Sequence, residues 1–458
     1  MQFPTLCRAI VGAFTFALLA SPAWAGTQHP GSITAEKVED SPAAVADAKA
    51  RFSCELRPFS LAKGLFCYGP AAIRSAYGLN GLIDSGSNGA GQTIVILDAY
   101  GSPTAAADLA TFDSIFGVPA PPSFKVVTMP GTPAFDPTDG NMVGWAEETS
   151  LDVQWSHAVA PGASIVLVAA ASNSDEDLIA GLNYALDNNL GSVVSMSFGE
   201  SEAFLTDKAG DAVVDAWERA FKKARKHRVS LFVSSGDQGA TNTGGDDVLP
   251  FRNVSYPASS ARVTAVGGTN LFFGTAVHAD PNGTYQGEQV WNDGFGAGGG
   301  GVSVLFKEPD YQEDTLPRSM QKQLHRHRGI PDVAYNAGVV GGVIVHLGFL
   351  GSRSGNYIFG GTSAGAPQWA GIIADVNSAV GRPVGFINDR LYHAGRSGAT
   401  AGLFHDVILG DNSWDDGYIQ VTGFPATPGW DLATGFGTPN FGTLGALLAD
   451  PDDQHDDD

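Results

Sequence analysis

Short runs of β-branched and aliphatic residues recur through the middle of this chain, each closed by Gly, Asp or Ser and separated from the next by a stretch with helical spacing. Gln92–Leu97, Ser164–Val168, Ser192–Ser197, Ser230–Val233 and Arg262–Val266 read as buried strands, because a nearly continuous apolar run marks a strand covered on both faces. Ala105–Phe116, Glu147–Ala158, Asp175–Asp187 and Ala212–His227 carry helical patterns between them. Such alternation has few solutions: crossover helices force the strands parallel and cover both faces of the sheet. The expected class is α/β, with a mostly parallel central sheet flanked by helices on both faces. Functional residues then gather at the carboxyl ends of strands, where Ser197 and Asp237 fall.

The ends of the chain set its surroundings. Arg8, the apolar stretch Ala9–Ala20 and Ala23-Trp24-Ala25 fit a secretory signal with its cleavage sequence, so residues 1–25 are expected to be removed and the protein exported, extracellular or periplasmic. No later run of about 18 residues is apolar throughout, so no membrane partner is expected. Residues 26–66 are polar and alanine-rich, a partly flexible leader with one helical turn pattern near Ala43–Ala50. The catalytic domain is expected over 67–449, and 450–458, nearly all acidic, as a disordered tail. The glycine-rich stretch from Ala297 to Tyr311 suits a substrate-lining or structural loop. A net charge of −22 excludes a phosphate-rich partner such as nucleic acid. The same excess of acids suits an acidic working environment and serves plain solubility equally well. With Cys7 lost in the signal, Cys54 and Cys67 remain and are expected to pair, closing a short loop worth about 3 kcal/mol.

Ser363 lies in Gly360-Gly361-Thr362-Ser363-Ala364-Gly365-Ala366-Pro367, and this run has two readings. Gly361, Ser363 and Gly365 satisfy the Gly-x-Ser-x-Gly spacing of a nucleophile elbow; Asp375 or Asp389 and His393 or His405 would complete an esterase set. Alternatively Ser363 begins a helix, with Pro367 in or near its first turn. In a chain with 48 acids and 10 histidines the ordered esterase set arises easily by chance.

Glu148 and Asp152, four residues apart, place two carboxyls on one helix face while Glu147 points elsewhere. Carboxyls held this close split their ionisation, so one can act as a base while the other shares the proton. The plainer use is an acidic helix face. Asp237, in Ser234-Ser235-Gly236-Asp237-Gln238-Gly239, is either a turn-capping acid or, when protonated, a hydrogen-bond donor to an oxyanion.

Together these residues resemble the sedolisin family, the serine-carboxyl peptidases. The turn-and-strand Ala158-Val159-Ala160-Pro161-Gly162-Ala163-Ser164 resembles the segment after the catalytic-histidine helix of subtilases, but carboxylates stand where that histidine would be. Further matching stretches are Tyr68-Gly69-Pro70-Ala71, Ser195-Met196-Ser197-Phe198-Gly199, Ala265-Val266-Gly267-Gly268-Thr269 and Gly299-Gly300-Gly301-Val302-Ser303. The resemblance implies a subtilisin-like fold and a secreted endopeptidase acting at acidic pH on protein or peptide substrates. Glu148 is then the general base, Asp152 the carboxyl that orients it, Asp237 the oxyanion donor and Ser363 the nucleophile. It also implies one structural Ca²⁺ held by Asp406 and Asp431 side chains and by backbone carbonyls of Val407, Thr427 and Gly429. Asp98 and His157 are assigned no catalytic role, though an extended carboxyl network behind Glu148 would be a use for Asp98. The family usually carries a sizeable prodomain, whereas only residues 26–66 precede the expected domain here. The expected state is a monomer. The rivals are a secreted α/β-hydrolase esterase and a catalytically silent binding protein on a peptidase fold.

Overall fold

The computed structural model describes residues 28–38, 52–56, 65–244, 247–273, 285–396 and 402–449. The signal, the helical turn expected near Ala43–Ala50 and the acidic tail lie outside them. Residues 28–38, expected to belong to a loose leader, instead form β1 (His29–Pro30) and β2 (Ile33–Val38). Their extended backbone finds partners on strand edges far along the chain, which a local pattern does not reveal.

The central sheet is built from β3 (Thr93–Ala99), β4 (Phe124–Thr128), β5 (Ser164–Ala170), β6 (Val193–Met196), β8 (Ser230–Ser234), β9 (Thr264–Phe273), β10 (Tyr285–Val290) and β11 (Val333–Asn336). The short β7 (Phe198–Ser201) continues from β6 outside it. Order across the sheet is β10-β9-β8-β6-β3-β5-β4, with β11 beside β9, and only the β9–β10 pair is antiparallel. The subtilisin-like expectation for the fold is met. Alternation along β3 shows how both faces are used. Ile94 and Ile96 pack into one core with Leu151, Trp155, Trp369 and Ile373, whereas Val95 and Leu97 pack into the other with Leu178, Leu182 and Trp217.

Helix α1 (Ala105–Phe116) follows β3, α2 (Gly140–Val159) precedes β5, and α3 (Asp175–Asp187) and α4 (Lys208–Lys226) cover the second core. Ser174 caps α3 by accepting from the Asp177 N–H, in front of an acidic first turn. Helix α2 starts seven residues before the expected Glu147 because Asp139 caps it, accepting from the N–H groups of Asn141 and Met142. Gly140 and Asn141, poor helix formers, hid that start.

A second sheet joins β2, β13 (Gly355–Gly360), β12 (Gly342–Leu347) and the two-residue strand Cys67–Tyr68 in that order. Cys54 and Cys67 form a disulfide with Cα atoms 5.2 Å apart. The stretch from Ala297 to Tyr311 contains a strand, Gly301–Lys307, paired with His327–Ile330. Strand β13 delivers Ser363: after Gly360 the backbone turns at Gly361, whose φ of +110° favours glycine, and α5 (Gly365–Val380) begins.

Candidate active site

Four elements converge on one buried point. Helix α2 brings Glu148 and Asp152, the end of β3 brings Asp98, the turn after β8 brings Asp237, and the entry to α5 brings Ser363. All five side chains are buried. Among the described residues, no Lys, Arg or His forms an ion pair with any of the four acids.

Burial without a compensating cation favours the protonated carboxyl. Burial pushes the Glu148 carboxyl up, the charge of Asp98 pushes it further, and the Ser32 N–H bond and the nearby Ser363 hydroxyl, which forms no well-aligned bond to it, pull the other way. Asp152 is held well above the ordinary range by burial and by the charges of Asp98 and Glu148. Asp98 is raised to about 7 by burial. The Thr149 and Ser197 hydroxyls stand near Asp98 and Asp152 but form no well-aligned bond to them. Asp98 is thus part of the acid cluster, a place that the sequence allowed but did not assign.

Asp237 is raised to about 7 by burial, against two donors. The Thr362 N–H donates to its Oδ1 at 2.8 Å and the Thr362 hydroxyl to the same atom at 2.9 Å. Oδ2 has no partner. A neutral Asp237 therefore carries its proton on Oδ2, because Oδ1 already accepts. Sequence reasoning missed Thr362 as a partner of Asp237; its place immediately before Ser363 was the available signal.

Ser363 Oγ makes a long contact, 3.5 Å, to the Ser197 carbonyl. The Ser32 N–H donates to Glu148 Oε2 at 2.8 Å. Ser363 is not among the residues with positive φ, and it leads directly into α5, which favours the helix-start reading over a strained elbow. The histidines of the esterase reading are placed elsewhere: His405 stacks on Tyr285 at 3.7 Å between ring centres, and His393 is exposed on the helix Asn388–Arg396. His157, in the last turn of α2, pairs through Nε2 with the Pro119 carbonyl at 2.8 Å and has no part in the cluster.

Of the residues expected around calcium, Asp406, just after the strand Phe404–His405, meets the loop Thr427–Asp431 through Gly429. The Gly429 N–H donates to Asp406 Oδ2 at 2.9 Å, and the Thr427 N–H to Asp431 Oδ2 at 2.7 Å. Asp431 is buried, Asp406 exposed, and neither is paired with a basic side chain among the described residues. No group of three or more His, Cys, Asp or Glu assembles for a metal there or elsewhere among the described residues. Both Asp431 oxygens are engaged by backbone donors, Oδ1 by the Ala433 and Thr434 N–H groups at 2.9 and 2.8 Å, so an ion here would compete with those bonds; carboxylate oxygens as such suit a hard cation and not zinc.

Comparison with known proteins agrees with this geometry. The model of the Subtilase family matches residues 138–386. Kumamolisin from Bacillus sp. (strain MN-32) is 33% identical over 377 residues, 81% of this chain and 62% of that protein. Sedolisin from Pseudomonas sp. (strain 101) is 33% identical over 288 residues, 61% of this chain and 44% of that protein. The chain therefore spans less than two thirds of the length of either relative. A solved structure of Pseudomonas sedolisin, a serine-carboxyl proteinase complexed with two molecules of pseudo-iodotyrostatin, superposes with a TM-score of 0.67 at 28% identity, covering 84% of this chain and 98% of that one. The chain belongs to the subtilase family and, within that fold, to the sedolisin group, the serine-carboxyl peptidases.

Proposed function

We propose that this protein is an exported serine-carboxyl endopeptidase that cleaves protein or peptide substrates at acidic pH. The observation that carries the reading is the meeting of Ser363 with a cation-free cluster of buried carboxyls and with an acid whose one unpartnered oxygen, Asp237 Oδ2, is set to donate. Ser363 attacks the carbonyl carbon of the scissile bond, Glu148 takes the serine proton, and Asp152 and Asp98 stand behind it. Asp237 donates from Oδ2 to the oxyanion. The leaving amine takes a proton from Glu148, and water releases the acyl group from Ser363.

Burial raises Glu148 to about 8, and mutual repulsion limits the cluster to one negative charge, so the base is the single carboxylate that the Ser32 hydrogen bond favours. The first proton leaves against no neighbouring charge, and the next two are held far higher. The single negative charge settles on Glu148, whose ionised form is favoured by the hydrogen bond from the Ser32 N–H and by the nearby Ser363 hydroxyl. Asp237 must stay neutral, so the donor is lost as pH rises through about 7.

Purified protein incubated with a denatured protein substrate between about pH 3 and 8 tests the reading. Cleavage is expected in acid, with Ser363→Ala lower by on the order of 10⁴-fold or more. Cleavage at neutral pH that depends on His393 or His405 would instead establish the esterase-like arrangement. Neither Ser363-dependent cleavage nor esterolysis at any pH would leave the silent binding protein.

Calcium is proposed at Asp406 and Asp431, with carbonyls of Val407, Thr427 and Gly429. The ion would neutralise the two acids and tie the Thr427–Asp431 loop to the strand Phe404–His405. A chelator is expected to lower the thermal midpoint by several degrees and added Ca²⁺ to restore it; an unchanged midpoint argues against a bound ion. A monomeric state is proposed alongside, and no helix among the described residues is long and apolar enough to cross a membrane.

A further inference from the structure

Beside the reacting point the site opens into a cavity of about 320 Å³, walled on one side by the segment His29–Ile33 and on the other by the body of the protein. The body side is made by Ser234 and Asp237 at and after the end of β8, by Gln238, Asn242 and Thr243 beyond them, and by Ser255 on the short strand Ser255–Tyr256. All six side chains are polar. Two glycines, Gly199 and Gly236, complete that side, so no apolar side chain of the body lines it. The cavity begins one atom from the nucleophile: a Cβ built on Gly31 would lie 2.7 Å from Ser363 Oγ and 3.5 Å from Ser234 Oγ. A Cβ built on Gly361 would collide with the Gly31 carbonyl oxygen and lie 2.6 Å from Asp237 Oδ2, so that carbonyl marks the place of the oxyanion. A residue whose carbonyl is held there sends its side chain past Ser234 into the cavity.

The polar wall is fixed in place and short of partners. Asn242 Oδ1 accepts from the Thr243 N–H at 2.8 Å, which sets the amide plane and leaves Nδ2 to donate. The Asn242 carbonyl accepts from the Leu249 N–H at 2.8 Å, at the base of a hairpin that pairs Thr243 with Val248. Ser255 pairs with Ser201 of β7, and a Cβ on Gly199 would collide with its Oγ, so glycine at 199 keeps that hydroxyl at the wall. Ser234, Asn242 and Ser255 are buried, yet the two hydroxyls and the Asn242 Nδ2 make no hydrogen bond to another described residue. A Leu or Phe side chain filling this space would strip water from these groups and put nothing in its place, at about 1–3 kcal/mol for each. An ammonium or a carboxylate would meet no opposite charge on the body side, where the one acid, Asp237, stays neutral for the reaction. A primary amide donates and accepts at once, as this wall requires.

We propose that this cavity selects the residue on the amino-terminal side of the cleaved bond and that it takes a side chain ending in a primary amide, glutamine or asparagine. The proposal rests on the serine-carboxyl reading of the site and narrows its substrates to chains carrying such a residue. The Asn242 Nδ2 donates to the amide oxygen of the substrate, and the substrate's amide N–H groups donate to the hydroxyl oxygens of Ser234 and Ser255. Asn242 is then a specificity-determining residue: it touches the substrate side chain and none of the reacting atoms. Discrimination appears in kcat/KM, because the wrong side chain leaves the same wall groups unpaired in the transition state.

The test gives the full chain a set of peptides that are identical except for Gln, Asn, Leu or Phe at one position, at about pH 4. Mass spectrometry of the products locates the cut and gives kcat/KM for each peptide. Cleavage directly after the varied residue is expected, with the Gln peptide ahead of its near-isostere Leu by on the order of 100-fold. Asn242→Ala should lower that ratio by about tenfold, and Ser255→Ala should lower it by a smaller factor. Each ratio compares two substrates on one sample, so a partly unfolded variant does not disturb it, and a thermal scan of both variants shows that they fold. Leu or Phe cut faster than Gln, or a ratio unchanged in both folded variants, overturns the amide pocket and leaves the peptidase reading standing. No Ser363-dependent cleavage of any peptide overturns both.

Discussion

Glu288 and Glu148 are both buried, both without an ion-paired cation among the described residues, and both pushed up by burial, Glu288 to about 7. Their surroundings differ. Glu288, on β10, accepts from Tyr77 Oη at 2.8 Å, Thr269 Oγ1 at 2.7 Å, Tyr285 Oη at 3.3 Å and Thr438 Oγ1. Both its oxygens are filled, and the four donors come from separate stretches of chain that it ties together. Glu148 has one backbone donor, its Oε1 lacks a partner, and acids crowd it beside the single hydroxyl of Ser363. A raised carboxyl alone therefore does not mark a site. A buried acid whose lone pairs are filled by fixed hydroxyls is a strut; one left short of donors and crowded by acids has a proton to move.

The strongest way to break this contrast is to neutralise each acid in turn. Glu148→Gln is expected to lower kcat/KM by on the order of 10³-fold, with a thermal midpoint no lower than the parent's because a buried repulsion is removed. Glu288→Gln should do the reverse. Its amide nitrogen meets hydroxyls that were donating, at a cost of about 1–3 kcal/mol, while kcat per folded molecule stays unchanged. Steady-state kinetics beside thermal scans of both variants decide it; an inactive Glu288→Gln with an unshifted midpoint would place Glu288 in the chemistry.

Asp237 sharpens the contrast from inside the site, since it is held by donors on one oxygen and bare on the other. In Asp237→Asn the carbonyl oxygen can keep the Thr362 bonds and the amide can donate at any pH. Activity in acid is expected to fall by about tenfold, less than for loss of a donor outright. Above about pH 7 the parent loses its proton and the variant does not, so the two pH profiles should converge toward neutrality. A constant ratio of parent to variant across the range would remove Asp237 from the oxyanion.

Much of this contrast was legible in the residues. The spacing of Glu148 and Asp152 on one helical face needs no tertiary information, and α1 and α3 lie where their patterns end in Gly117 and begin at Ser174. The parallel sheet followed from runs that are apolar on both faces. What the chain hid are the features made by distant partners. Glu288 looks like any strand acid until Tyr77 and Thr438 are brought to it. Residues 28–38 carry a proline and a glycine and pair with segments more than 150 residues away, so no local periodicity marks them as strands. Asp98 is followed by a turn and looked like an ordinary strand-ending acid; its membership of the cluster comes from the register of β3 beside α2, not from its neighbours in sequence.

The smallest effect concerns stability, where strut and site act in the same direction. Glu288, Asp237 and Asp98 all have carboxyls raised to about 7 in the folded chain, against an ordinary value near 4 when unfolded. Between those values the folded state binds more protons than the unfolded state, so the free energy of unfolding falls as pH rises. The stabilisation is complete below about pH 4 and is lost as pH passes through 7, and self-repulsion of a chain with net charge −22 adds to the loss. The thermal midpoint is expected to be higher near pH 4 than near pH 8 by roughly 5 °C or more. Because Glu288→Gln removes one titrating strut and leaves the acid cluster, its midpoint should depend less steeply on pH than the parent's but should still fall. A midpoint that rises from pH 4 to 8 would mean that these carboxyls are ionised in the fold and compensated by cations. A slope unchanged by Glu288→Gln would assign the whole dependence to the site and not to the frame.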